Sequence, residues 1–574
     1  MANPRAVDAY LQNFQQWLLA TSFIPAKGIS DGWQGLINID WEDPETGVWT
    51  SSAHQVLIIL PPGFPYHAPV VLSRDTPPLL PSWHLSPEGS LCLWREPGGW
   101  NPFMSAQKLL ARVDDWFRYY HIGGWPEDFT PTDLHLYLQN QGAVVIGEEW
   151  KPEVVVKQGS FTLWRNNTFT MIPCLVGLKN SQGKADKEKR LLDQLGWLEK
   201  GVQSYHGVWF RVNTPFVPSN RLDYLLNQID QYSGTPSGSA HAYLIKQLGR
   251  VISSSGIPLA IGYPGILGQE QWSFLWLTKP IGMKIHLSRP ELMGKIEVKS
   301  FETAPAGKGD LLRRTFHLSK DLGNKKVALF GVGALGGSVA LLLAKAGLGE
   351  IRLIDSDKVK PTNVIRHVAG LDDVGFPKTS SVNRKILRHN PDCHVVTFPE
   401  TWQTQELEKI INDVDLVIDT TANSAFSLWL NQLIVQKMGT ILYATAYRRA
   451  SIGRLILYRG NGLRTDPCLA CYLLNEEDWN DEDYPFIPID PTSTFEEEGC
   501  ISVTEEADAI HVELVAGQCA LTAVKFLTGK SFSENLFIQV NEGLPDVHNI
   551  LSKPGFYAIH NTAPLNCQLC NQES

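Results

Sequence analysis

Two stretches of this sequence carry chemistry in their spacing. The first covers residues 326–337, where Gly331, Gly333 and Gly336 give G-x-G-x-x-G directly after the apolar run 327–330. A backbone that must turn sharply and approach a phosphate closely needs glycine at such points. The helix expected over 338–345 would offer unpaired N–H groups to the anion. Alone, the pattern fits any dinucleotide enzyme. The residues behind it narrow the field. Segment 351–355 reads as a second strand ending in Asp355, placed to accept from a ribose hydroxyl, and Asn363, Arg366, His367 and Lys378 follow. A nicotinamide site has no need of those polar groups. A site that directs attack on the α-phosphate of ATP does. The second stretch is a matched set of C-x-x-C pairs, Cys468 with Cys471 and Cys567 with Cys570. Each pair lets two thiolates reach one ion, and two pairs complete a tetrahedral Zn²⁺ site that would clip the C-terminal tail to its domain. A redox role for either pair is the alternative.

These residues need elements to hold them. From about residue 313 the order helix, strand, Gly-rich turn, helix, strand predicts a doubly wound parallel sheet. Further strands are expected near 393–398, 414–419 and 440–446, with a helix near 405–411. Asp355, Asp419 and Thr445 would then gather at the carboxyl edge, where ligands bind in such folds. At 574 residues the chain needs several domains, and a net charge of −10 argues against a general nucleic-acid binder. No segment reads as an apolar bilayer span, and the first residues do not read as a signal peptide. A cytoplasmic protein with reduced thiols is the expectation.

The N-terminal part has its own pattern. Residues 4–20 predict an amphipathic helix with Val7, Tyr10, Leu11, Phe14, Trp17 and Leu18 on one face. Strands are expected at 35–40, 48–50 and 55–60, followed by the proline-dense run 60–72, which must wrap the sheet rather than join it. Then come His84, Gly89, Ser90, Cys92, Trp100, Asn101 and Pro102, and a helix from Ser105 to about Tyr120. This order resembles a ubiquitin-conjugating (E2-type) domain over residues 1–145. The resemblance implies that Cys92 carries a thioester and that His84 matches the first residue of the family's His-Pro-Asn triplet. Pro and Asn are absent here, with Ser86 or Asn101 as substitutes. A buried structural cysteine is the other reading of Cys92.

Residues 146–309 show strand-like runs at 154–156, 168–175 and 208–212, a helix near 243–251 and no chemical motif. They read as an α+β linker domain, with His206 and His241 as ordinary histidines.

Residues 310–574 resemble the ThiF-type activating enzymes, which include the adenylating domain of ubiquitin-activating (E1-type) proteins. GVGALGG, IDSDKVKPTNVIRH, DVGFPK and LVIDTTAN occur in the family's order. The resemblance implies a Rossmann-like domain in which Asp355 binds ribose and Asn363, Arg366 and Lys378 contact phosphates. Arg313 or Arg314 would supply a further arginine. Many relatives have Thr-Asp-Asn where this chain has Thr421-Ala422-Asn423, so either Asp419 is the Mg²⁺ ligand, which is the expectation, or the metal is held differently. Cys500 falls in the crossover that carries the catalytic cysteine of thioester-forming members, although the acidic run 496–498 opposes thiolate formation and leaves a structural role open. Cys174, Cys393 and Cys519 read as structural.

Both halves on one chain resemble bacterial activating–conjugating fusions, notably those of CBASS antiphage operons. The implied reaction is adenylation of a protein C-terminus, capture on Cys500, transfer to Cys92 and amide formation on a lysine. The implied partner is a cGAS-like nucleotidyltransferase tail or a ubiquitin-like modifier, met by a homodimer that binds neither nucleic acid nor membrane. An adenylating sulfur-transfer enzyme with a non-catalytic conjugating-like domain is the rival, and a nicotinamide oxidoreductase is a third reading.

Overall fold

The computed structural model describes residues 4–43, 46–76, 79, 84–86, 89–93, 100–122, 140–146, 150–165, 170–175, 203–214, 219–248, 256–264, 270–279, 286–305, 320–399, 404–460, 466–474, 479–488, 490, 494–496, 503–545, 547–564, 567 and 569–570. The chain divides into two compact units, one chiefly of residues up to Ala306 and one chiefly of Gly307 onward.

The first unit opens with helix α1 (Pro4–Ala20) and an antiparallel meander of β1 (Ile24–Pro25), β2 (Gly32–Glu42), β3 (Trp49–Ile59) and β4 (Val70–Ser73). Strands β2 and β3 pair without a break from Gly32 opposite Ile59 to Glu42 opposite Trp49. Helix α2 (Ala106–Ile122) starts where Ser105 accepts from the Lys108 N–H at 3.3 Å. Phe14 and Leu18 of α1, Val56 and Ile58 of β3, and Leu109, Val113, Trp116 and Phe117 of α2 share one buried core. The proline-dense stretch is pinned through Trp100, whose indole donates to the Pro65 carbonyl at 2.7 Å.

The rest of this unit is a closed seven-stranded barrel of β5 (Asn140–Ile146), β6 (Gln158–Arg165), β7 (Thr170–Leu175), β8 (Gln203–Arg211), β9 (Ile257–Pro264), β10 (Glu270–Thr278) and β11 (Glu297–Pro305). Helices α3 (Leu222–Ser233) and α4 (Ser239–Leu248) accompany it. Since β5 belongs to the barrel, a boundary at residue 145 would cut through a strand. The interior is aromatic, and it closes because glycines face the rings. A Cβ on Gly159 would strike Trp209, one on Gly207 would strike Phe161, and one on Gly262 would strike Trp272. Each of these is a cross-strand pair. The expected strand at 154–156 is instead a turn with Val154 and Val155 exposed. Arg211 holds it there by donating to the carbonyls of Pro152, Glu153, Val154 and Val156.

The second unit is built on an eight-stranded sheet. It contains β12 (Lys326–Phe330), β13 (Glu350–Ile354), β14 (His394–Phe398), β15 (Leu416–Asp419), β16 (Ile441–Tyr447), β17 (Ile452–Tyr458), β20 (Leu536–Val540) and β21 (Gly555–Ile559), in the order β14-β13-β12-β15-β16-β17-β20-β21. The numbers between fall to a separate pair, β18 (Thr494–Glu496) and β19 (Val503–Glu505). Strands β14 to β16 are parallel as expected, but β17, β20 and β21 continue antiparallel. The all-parallel expectation is corrected for a simple reason: only four residues separate β16 from β17, too few for a crossover, so the chain returns as a hairpin.

Helices α5 (Ala334–Lys345), α6 (Lys378–His389), α7 (Thr404–Ile411), α8 (Ser424–Gln436), α9 (Leu469–Leu474) and α10 (Ala509–Leu527) cover the sheet. Val339, Leu343, Val382, Ile386, Ala516 and Ala523 line one core, and Leu407, Leu430, Ile434 and Leu469 the other. Helix α10 is long and apolar enough to cross a membrane, which corrects the expectation that no segment is. Half of its apolar window is buried, and Ala516, Cys519, Ala523 and Leu527 pack in the core beside α5. Core burial accounts for its composition.

Candidate functional site

The glycine-rich turn leaves β12 with Gly331 at φ +79°, a conformation that glycine adopts without strain. A Cβ there would come within 2.9 Å of the Thr421 backbone. At Gly336 a Cβ would overlap the Gly331 carbonyl oxygen and the Thr420 hydroxyl. Both glycines therefore serve the protein's own packing. Gly333 differs. It stands just before α5, and a Cβ on it would meet nothing within 4 Å. Open space before a helix N-terminus, where backbone N–H groups lack partners, is the shape a phosphate needs.

Two side chains fix this turn from β13 and beyond. Asp355 accepts from the Val332 N–H at 2.7 Å and from the Asp357 N–H at 2.8 Å. His367 Nδ1 accepts from the Ala369 N–H at 2.9 Å, so Nε2 carries the proton and donates to the Val332 carbonyl at 2.8 Å. Burial holds the His367 pKa below its ordinary value, which keeps the ring neutral for this bond. Sequence reasoning noticed His367 but missed this clamp. Lys378 begins α6 with its ammonium on Asp357 at 2.8 Å. Asn363 and Arg366 lie on a short 3₁₀ turn (Pro361–Arg366), where Asn363 accepts from the Lys360 N–H at 3.1 Å. The register puts Phe330 opposite Asp419, so β15 ends beside the turn. Thr420 reaches across to the Gly331 carbonyl at 2.6 Å.

Asp419 is 3% exposed. It accepts from the Thr421 N–H at 2.9 Å, the Thr421 hydroxyl at 2.7 Å and the Ser427 hydroxyl at 2.5 Å. Burial raises its pKa against these bonds. A carboxyl so committed does not fit the Mg²⁺ ligand that the sequence suggested, and the Ala422 side chain has no oxygen. Arg313, Arg314 and Cys500 lie outside the described residues, as does the side chain of Cys174. Cys393 and Cys519 are buried in the core, and burial pushes the Cys519 thiol up to about 12.

The four paired cysteines come together. Their sulfurs all lie within 4.8 Å of one another, with Cys468–Cys471 and Cys468–Cys567 at 3.8 Å and Cys471–Cys570 at 3.4 Å. A tetrahedron with Zn–S near ~2.3 Å has edges near ~3.8 Å. All four are buried, and the Asn431 amide donates to Cys468 at 3.5 Å. The donor set fits a structural Zn²⁺.

In the first unit, the Cys92 N–H donates to the His84 carbonyl at 2.9 Å, and the Trp116 indole donates to the same oxygen at 3.2 Å. Ser86 closes the turn before Cys92 by accepting from the Ser90 N–H at 2.8 Å, while Asn101 is exposed. Gly89 has φ +88°, and a Cβ there would press on the Ser73 carbonyl at 2.8 Å. Cys92 is half-buried. The His84 ring is 3% exposed, and burial lowers its pKa to about 4. In this structure His84 supports the cysteine loop through its carbonyl, with a neutral ring in the core.

Residues 311–553 match the model of the ThiF family. This part of the chain is a ThiF-family adenylation domain. An uncharacterized protein y4oA of Sinorhizobium fredii is 24% identical over 344 residues, covering 56% of this chain and 54% of its own length. The adenylyltransferase and sulfurtransferase UBA4 of Scheffersomyces stipitis is 28% identical, covering 39% of this chain and 46% of its own length. The tRNA threonylcarbamoyladenosine dehydratase of Bacillus subtilis is 35% identical over 111 residues, covering 19% and 44%. The chain thus spans about half the length of the curated relatives it matches. Among solved structures, E. coli MccB with ATP matches with TM-score 0.33 and 21% identity, covering 44% of this chain and 68% of its own.

Proposed function

We propose that this protein adenylates the C-terminal carboxylate of a protein, captures the product as a thioester on Cys500, passes it to Cys92 and joins it to an amine. The observation that carries this reading is the turn around Gly333. It is open where a phosphate would sit, is tied to Asp355 through the Val332 N–H, and lies within the ThiF-family segment. The carboxylate attacks the α-phosphate of ATP, pyrophosphate leaves, and an acyl-adenylate forms. The Cys500 thiolate displaces AMP, the Cys92 thiolate displaces Cys500, and a lysine amine releases Cys92 as the amide forms. On this reading Arg366 and Lys378 would supply the positive charge that offsets charge building on phosphate. The helix, meander, wrapped proline run and half-buried Cys92 support a ubiquitin-conjugating-like role for the N-terminal part.

On this reading the substrate is a nucleotidyltransferase tail or a ubiquitin-like modifier, the setting is bacterial antiphage defence in the cytoplasm, and the assembly is a homodimer through the adenylation domains. Exposed Ile365, Leu371, Ile510 and Leu514 in the second unit would suit such a contact. Two assays test the function. ATP–pyrophosphate exchange with candidate C-terminal peptides should proceed. Cys92→Ala should abolish amide conjugates while a reducible adduct on Cys500 still forms; conjugates surviving Cys92→Ala would overturn the transfer step. The UBA4 relatives' name favours a second reading, adenylation followed by sulfur transfer, which predicts a thiocarboxylate product and no lysine conjugate.

A further inference from the structure

Strands β16 and β17 form a hairpin whose two faces are told apart by their packing. Leu442, Ala444, Leu455 and Leu457 face the core beside α5 and α10, while Tyr443, Ile452, Ile456 and Tyr458 face the core beside α8 and α9. The period-two rule places Arg454 on this second face, between Ile452 and Ile456, and the register sets it directly opposite Thr445. An arginine therefore points inward from a row that is otherwise isoleucine and tyrosine.

Arg454 is 8% exposed. Its Nη1 donates to the Tyr484 hydroxyl at 2.6 Å and its Nη2 to the Pro485 carbonyl at 2.5 Å, both neutral acceptors. The guanidinium lies 4.1 Å from the centre of the Tyr484 ring and 5.4 Å from that of Tyr447. Its Nε–H has no hydrogen-bond partner, and no carboxylate pairs with it among the described residues. A buried cation left this way is costly unless something anionic completes it. Arg454 also lines a cavity of about 130 Å³, which it shares with Asp419, Ala422, Thr445, Tyr447 and Tyr484. That cavity runs from the end of β15, beside the glycine-rich turn, across two strand spacings to Arg454, about 10 Å. This is the reach of about three extended residues. The donors already in place fit an oxyanion: the free Nε–H, with the hydroxyls of Thr445 and Tyr447 on the same wall.

We propose that this cavity receives the peptide end of the substrate and that Arg454 binds a carboxylate of that peptide. The proposal rests on the adenylation reading for the identity of the ligand as a peptide. Two carboxylates share the needed chemistry: that of an acidic side chain a few residues before the terminus and, when no ATP draws it to the glycine-rich turn, the terminal one.

The test is an equilibrium titration of the full chain without ATP. The probes are N-acetyl-glycylglycine, with only a terminal carboxylate; N-acetyl-glutamate α-amide, with only a side-chain carboxylate; the neutral N-acetyl-glycylglycinamide; and inorganic phosphate. One or both carboxylate probes should bind the wild type, and the one that binds identifies the source. Arg454→Gln should weaken that binding about tenfold or more, the scale of a hydrogen bond to a charged group, and Arg454→Lys should restore part of it. Tyr484→Phe removes a hydrogen bond from the guanidinium but keeps its charge, so it should still bind the probe; this separates ligand binding from the anchoring of residues 484–485. Equal binding by Arg454→Gln and wild type, equal binding of the neutral amide, or binding of phosphate alone would each overturn the proposal. Because ATP is absent, failure of pyrophosphate exchange in the wild type would count against the adenylation reading and not against this titration.

Discussion

Substituting alanine at Gly333 and at Gly336 should separate binding from folding within one turn. At Gly336 the added Cβ falls inside 3.0 Å of the Gly331 carbonyl and the Thr420 hydroxyl. The helix would gain ~0.5–1 kcal/mol from replacing glycine. Overpacking against backbone costs ~1–3 kcal/mol or more, and the Thr420 bond to Gly331 would be disturbed as well. The clash wins. For a unit of this size a net loss of ~1–3 kcal/mol lowers Tm by about 2–12 °C. At Gly333 the φ of −77° suits alanine, and nothing lies within 4 Å of the new Cβ. Its stability should change by no more than about 1 kcal/mol, the scale of a helix N-cap exchange. ATP affinity should nevertheless fall at least about tenfold, because the Cβ fills the space that the phosphate would use. Thermal denaturation and titration with a fluorescent ATP analogue read the two effects. A Gly333→Ala protein that binds ATP as tightly as the wild type would refute the placement of the phosphate at this turn.

Three further outcomes are expected. His84 has a folded pKa of about 4 against an ordinary 6.5, so its contribution is fully present above pH 6.5 and is lost as pH falls through 4; the shift corresponds to ~3 kcal/mol, and an NMR titration placing His84 near 6.5 would contradict it. Asp373 is 2% exposed and pairs with Arg384 and Lys385. Burial alone would raise its pKa, but the bonds from Arg384, Gly370 and Lys385 outweigh burial and lower it, so this stabilisation is present above about pH 3.8 and fades in acid. Asp373→Asn should cost ~1.5–3 kcal/mol by chemical denaturation at pH 7. Elemental analysis should find one Zn²⁺ per chain, and Cys567→Ser should abolish it and lower Tm; a metal-free wild type with an unchanged Tm after chelation would refute the clip.

Much of the second unit was legible because its signals are local. The apolar run before Gly331, the glycine spacing and the acid at Asp355 each follow from a few consecutive residues, and the strands appear close to where periodicity put them. The barrel was not legible, because its pattern is cross-strand: a glycine makes room for an aromatic ring on a neighbour tens of residues away, as Gly159 does for Trp209. Arg454 was missed for a related reason. In the run Ile452-Gly453-Arg454-Leu455-Ile456 it reads as one polar residue in an apolar strand. Counting period two from Ile452 would have placed it on an inward face, but the burial of that face is a fact about α8, α9 and the 484–485 segment.

The sequence by itself determined the chemistry that depends on short spacing. The phosphate-accommodating turn and the two pairs of cysteines are of this kind, since backbone geometry over three or four residues decides which atoms can meet one ligand. Tertiary structure alone decided which donors and acceptors were already taken. Asp419 proved committed to Thr421 and Ser427, the His84 carbonyl took the Cys92 N–H, and Arg454 kept an N–H for a cavity. Hydrogen-bond capacity is spent among residues brought together by the fold, and that allocation is not written in any one stretch of chain.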